Sequence, residues 1–168
     1  MTTTPAQQED RLQTISSQED LRDLHSRLHL DDVRVQRLRA EAVQDPPLDV
    51  STIVISVGPG EVLLEPPRFA VRFTQTVILR DAEEQPLAEV EIVVVVDFTM
   101  DDGPSPTREA IDLYAEYNAY FIAHPYLRET LQNVTLKLGI EPVVLGVLSR
   151  GEARPSEVTM VKRVTSHI

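Results

Sequence analysis

The stretch Phe121–Arg150, FIAHPYLRETLQNVTLKLGIEPVVLGVLSR, decides how the rest of the chain is read. Leu127, Leu131, Val134 and Leu138 recur at spacings of 4, 3 and 4 residues, which puts them on one face of a helix. Gly139 stands where a left-handed residue closes a helix. Pro142-Val143-Val144-Leu145 then leaves as an apolar segment. At the front, Pro125 disfavours helical geometry at His124, so the spacing predicts a helix that ends or kinks at His124 and a second piece that starts at Pro125. Each stripe residue contributes about 1.5–3 kcal/mol when fully buried, so the unit needs an apolar surface to pack on.

The residues upstream supply that surface. Ala88, Val90, Ile92, Val94, Val96, Phe98 and Met100 alternate without interruption, the pattern of an antiparallel strand with one face on the core. Its other face reads Glu89, Glu91, Val93, Val95, Asp97 and Thr99, wet at both ends and apolar in the middle, which predicts that a partner covers part of it. Phe69, Val71, Phe73, Val77 and Leu79 form the strand before it, joined through the turn Asp81–Pro86. Further back, Val33 and Val35 alternate and the apolar set then slips to Leu38, Ala40 and Ala42, a first strand with a β-bulge. Between these strands lie Pro46, Pro47, Pro59, Pro66 and Pro67. Prolines remove ladder donors and argue against central strands, so Ile53, Ile55, Val57 and Val62-Leu63-Leu64 read as short edge strands of a long crossover.

At the N-terminal side, residues 1–15 are polar and aperiodic and read as a flexible terminus. Ser16 and Glu19 have capping-box spacing, and Leu21, Leu24 and Leu28 predict a short helix over about 17–29. Ser105 as N-cap with Pro106 behind it opens the long helix, with a stripe of Ile111, Tyr114, Asn118 and Phe121. The expected organisation is one domain over 16–150 and a C-terminal tail over 151–168.

Composition narrows the function. A chain of 168 residues suits one domain, and 42% hydrophobic residues suit a globular one. The net charge of −11 repels a nucleic acid backbone, and Arg150, Arg154, Lys162 and Arg163 read as a solvated tail. The absence of cysteine excludes disulfides and thiolate zinc sites, no run reaches the length of a membrane span, and MTTTPAQQEDR lacks the marks of a secretory signal. A cytoplasmic protein without membrane insertion is expected. His25 and His29 are four apart near Asp31 and Asp32 but bring no third ligand in a known pattern, so two solvent-facing histidines are expected and no metal. Asp101-Asp102-Gly103 lacks the rest of a calcium loop and reads as a turn. No nucleophile elbow, phosphate loop or dinucleotide fingerprint is present, so catalytic residues and cofactors are expected to be none.

His124-Pro125-Tyr126-Leu127-Arg128-Glu129, the helical stripe, Gly139 and Glu141-Pro142-Val143-Val144-Leu145 resemble the SecB family of export chaperones. There a helix carrying F-P-Y-x-R-E is followed by a glycine and a P-P-L-x-L-type segment. The resemblance covers about residues 30–148. The N-terminal helix, the Arg-rich strand Val33–Ala42 and the ending Leu145–Arg150 look closer to SecB-like chaperones of toxin–antitoxin systems. His124 departs from the family's aromatic or apolar residue, and no helix is evident after Leu148.

The resemblance implies an α+β fold, a four-stranded antiparallel sheet with a long kinked helix, tetrameric as a dimer of dimers. It implies an ATP-independent holdase that binds unfolded polypeptides, either preproteins for export or an antitoxin. The client groove would use Ile53, Ile55, Val57, Val143 and Leu145, with Val62, Leu64 and Leu148 added from the apolar pattern. Val93, Val95, Tyr114, Tyr117, Phe121 and Tyr126 would meet other copies, and Glu91 would dock the SecA motor. The alternative reading is a structural or small-ligand-binding module of the same fold, with Ile53–Val57 and Val143–Leu148 closed against each other.

Overall fold

The computed structural model describes residues 18–45 and 47–161. The expected flexible terminus over 1–15, the cap at Ser16 and the cations Lys162 and Arg163 lie outside those residues.

Residues 18–27 form helix α1, and strand β1 (Leu28–Ala42) starts at once. The helix therefore stops two residues short of the expected end, and His25 and His29 do not share a helical face. β2 (Thr52–Val57), β3 (Glu61–Glu65), β4 (Arg68–Arg80) and β5 (Pro86–Met100) follow. α2 (Arg108–Leu113), a π-helical segment (Tyr114–Ala119) and α3 (Tyr120–Lys137) run on as one helix, and β6 (Glu157–Val161) ends the described chain.

The sheet is antiparallel and has six strands rather than the four expected, in the order β1-β5-β4-β2-β6, with β3 also on β4. Two short strands share one edge of β4: Thr52–Val57 pairs with Gln75–Arg80, and Glu61–Glu65 pairs with Arg68–Arg72. The step between them passes through Gly60, where an added Cβ would lie 2.8 Å from Val71 Cγ1 and 3.2 Å from Ala115 Cβ. Only glycine allows that approach. β2 is not an edge strand, because β6 covers its other side. The prolines sit outside β2 itself, so they cost it no ladder donor. β1 carries the expected bulge between Val35 and Arg37 and a second between Leu30 and Asp32.

The even face of β5 is buried from Ala88 to Met100, as its alternation predicts. Phe69, Phe98 and Tyr114 pack edge to face at 5.6–5.9 Å between centroids, and Phe73 meets Tyr120 at 5.3 Å. The helix that covers this face differs from expectation in two ways. Its N-cap is Thr107, whose Oγ1 accepts from Ala110 N at 3.3 Å, not Ser105. It also continues through Pro125 as one helix rather than ending at His124. The irregularity falls earlier, at Tyr114–Ala119, where the wider turn inserts one residue into the register. The buried side chains accordingly run Ala110, Tyr114, Ala119, Ala123, Leu127 and Leu131, while Phe121 turns outward.

Candidate functional site

The helix ends as Gly139 predicts. Gly139 has φ +73°, its N–H donates to Leu136 O, and Ile140 N–H donates to Thr135 O, both at 3.1 Å. This paired closure turns the chain back along the helix. Two further bonds pin the returning segment 140–148. Val143 N–H donates to Thr135 Oγ1 at 3.1 Å, and that hydroxyl donates in turn to Leu131 O at 2.9 Å. Downstream, His124 Nε2 lies 2.8 Å from Gly146 O. A carbonyl only accepts, so Nε2 carries the proton, and Nδ1 faces the Tyr120 hydroxyl at 3.4 Å. His124 is buried against Tyr120, and its work is to fasten the segment to α3.

Pinned this way, the segment faces β2 and β6 across an apolar groove. A cavity of about 190 Å³ lies between Leu48, Val50, Ile53, Val143, Val144 and Met160. A second, of about 210 Å³, lies between Ile55, Val57, Leu145, Leu148, Val158 and Met160, with His124 and Tyr120 behind it. Gln75 also lines the second cavity; it is fully buried, and neither atom of its amide has a hydrogen-bond partner among the described residues. Around the groove, Val144, Val147, Val158 and Val161 remain exposed, Val147 by 80%.

The structure thus brings Ile53, Ile55, Val57, Val143, Leu145 and Leu148 together. Ile55, Val57, Val143 and Leu145 are already buried in the single chain. Val62 and Leu64 are not at this groove. They pair with Val71 and Phe69 on the far half of β4 and are half-buried against the core. Val158 and Met160 fall in the stretch expected to be tail but stand in β6, and their alternation is the signal of a strand.

The residues expected to meet other copies also divide. Tyr114 is in the core, whereas Tyr117, Phe121 and Tyr126 stand exposed on the helix. Val93 and Val95 are buried within the chain itself. Arg37 and Thr74 stand opposite Val93, and Arg34 and Arg72 opposite Val95, on the same face of the sheet. Asp97, on the same face, accepts from Arg68 Nε at 3.0 Å and Nη2 at 2.7 Å, and from Arg34 Nη1. Burial pushes its carboxyl upward, but these guanidinium bonds outweigh that and hold it below the usual range. Glu91 is half-buried and paired with Arg37 at 3.1 Å. No group of three metal-ligating side chains, and no helix long and apolar enough to cross a membrane, occurs among the described residues.

An antiparallel sheet covered by one long helix, with a pinned apolar segment returning beside the crossover, is the fold of SecB-like chaperones. The chain matches a SecB-like chaperone of Mycobacterium tuberculosis solved in complex with a ChAD peptide from the HigA1 antitoxin, at TM-score 0.71 and 23% identity, over 80% of this chain and 99% of that one. In sequence it is 30% identical over 71 residues to the SecB-like chaperone Rv1957 of M. tuberculosis strain H37Rv, and equally to its counterpart in strain CDC 1551. That match takes in 42% of this chain and spans 39% of the length of those relatives. No protein-family model matches the chain. The resemblance to SecB-like chaperones that the motif carries is therefore present in sequence and in fold.

Proposed function

We propose that the chain is a holdase that binds unfolded polypeptide in the groove between β2, β6 and the segment 140–148. The observation that carries this reading is the groove itself. Aliphatic side chains converge on two adjoining cavities, and apolar Val144 and Val147 lie open at the rim. Such a patch takes up apolar side chains with little demand on sequence. A net charge of −11 keeps copies of a sticky surface apart. Clients would be held without ATP, in the cytoplasm. The antitoxin peptide bound by the structural relative supports an antitoxin as one client class, with preproteins for export as the other. Tyr117, Phe121 and Tyr126 would join copies through the helices into a tetramer, and Glu91 would contact a SecA-like motor.

The test is suppression of light scattering when an unfolded protein is diluted into folding buffer. The chain should suppress it at substoichiometric amounts, and Val144→Asp with Val147→Asp, both at exposed positions, should remove most of the effect. Scattering unchanged across a concentration series would exclude a holdase.

One observation favours the second reading, a closed structural or small-ligand module: Ile55, Val57, Val143 and Leu145 are buried in the free chain. An apolar dye that finds no site on the folded protein would support it.

A further inference from the structure

The closure of the groove has an identifiable cause. Its far wall is β6, laid antiparallel on β2 from Thr52↔Val161 to Ser56↔Glu157. Val57 N–H donates to Ser156 O at 2.9 Å, which makes that a hydrogen-bonded pair. Such pairs alternate in an antiparallel ladder, so Ile55/Val158 and Ile53/Met160 exchange the remaining bonds, while Thr159 turns its N–H away from β2. Side chains directly opposite share a face, which places Val158 and Met160 on the groove side. Met160 lines both cavities and stands between them. The strand position beside β2 is therefore already taken by an extended segment with apolar residues two apart, and it is this chain's own.

β6 is lightly held. Four of its five residues are exposed and Met160 is half-buried. The connection before it is firmer. Arg154 Nε meets Glu116 Oε1 at 3.1 Å, Arg154 Nη1 donates to Val57 O, and the Arg154 N–H donates to Glu116 O at 3.3 Å. The strand can leave from Ser156 onward while Arg154 keeps the segment before it in place.

Resting on the chaperone reading, we propose that β6 is a built-in placeholder and that unfolded clients bind by strand addition to β2, displacing it. The partner is an extended polypeptide segment whose alternate apolar residues replace Val158 and Met160 opposite Ile55 and Ile53. Main-chain bonds hold such a client and the two cavities select its side chains. A tethered strand competes at an effective concentration of about millimolar, so only clients that exceed this threshold enter. Between clients, β6 shields the β2 edge from pairing with other copies.

The test uses the full chain, with Val158→Pro and Met160→Pro to remove ladder donors and Thr159→Pro as a control that removes none. The probes are a fluorescein-labelled peptide reproducing residues 155–161 and reduced, carboxymethylated α-lactalbumin. The two ladder variants should bind the peptide about tenfold or more tighter than the unaltered chain and the control. In the unaltered chain, saturating lactalbumin should strip hydrogen-exchange protection from the Val158 and Met160 amides and leave Ile92 and Val94 protected. Lactalbumin bound with the β6 amides still protected would overturn the proposal, whether or not the variants fold. So would ladder variants that gain mass by self-association without binding the peptide, which would make β6 an edge guard only. Tighter peptide binding with no lactalbumin binding by any variant would keep the strand-accepting edge and remove the chaperone reading.

Discussion

Asp97 shows how one side chain sets an acid limit. Its carboxyl is held below 3.8, so its contribution to stability is present above that value and lost as pH falls through the folded pKa. Asp97→Asn should cost about 1–2 kcal/mol at neutral pH, a figure kept small because Arg34 and Arg68 stay about half in solvent. Urea titrations at neutral pH and at pH 3 should show that difference shrinking in acid. Gln75 works the other way. An unpaired buried amide is costly, so Gln75→Leu should stabilise the chain by about 1–2 kcal/mol, read as a higher urea midpoint. Neither role was legible beforehand. Asp97 lay in an alternation that marked its face but not its arginine partners on β1 and β4, and Gln75 interrupted an apolar run without showing what it would face.

Among the elements, the long helix was the most legible and also the most instructive in its departures. The 4-3-4 spacing and Gly139 predicted its second half, and both are found. Local geometry at Pro125 predicts that the helix ends or kinks at His124; it does not end there, since α3 continues from Tyr120 to Lys137 with Ala123, His124 and Leu127 buried. Pro125 is exposed, and as a proline inside a helix it withholds a donor from Phe121 O and crowds that carbonyl. Pro125→Ala should therefore raise stability by about 1–3 kcal/mol, measured by chemical denaturation. A loss would mean that the ring itself is needed. Leu131→Ala should cost about 2–5 kcal/mol, since the side chain is fully buried against the sheet. The π-helical turn had no signature, because a one-residue register slip is decided by which aromatic rings the sheet can receive.

For the whole molecule, the exposed aromatic residues on the helix would carry the proposed assembly. The solution mass should be four chains, and Tyr117→Glu with Phe121→Glu should lower it without loss of helix signal. A stable monomer from the unaltered chain would end the tetramer reading. Burial also pushes the phenols of Tyr114 and Tyr120 up to about 12. Phenols raised in the fold support it fully below their ordinary value of about 10 and lose that support as pH climbs toward 12. Stability should therefore fall over that interval, with phenolate absorbance rising together with unfolding.

Local chemistry determined the parts that depend on a residue and its near neighbours: the alternation of β5, the stripe Leu127–Leu138, the glycine closure and the turn at Asp81. Tertiary structure decided what depends on distant partners. Glu157–Val161 is short and polar at alternate positions, and it becomes a strand only because β2 offers unpaired donors and acceptors beside two apolar cavities. Ile55 and Leu145 were recognisable as apolar from sequence. Their meeting required His124 and Thr135 to pin a returning segment, a geometry set by side chains far apart in the chain.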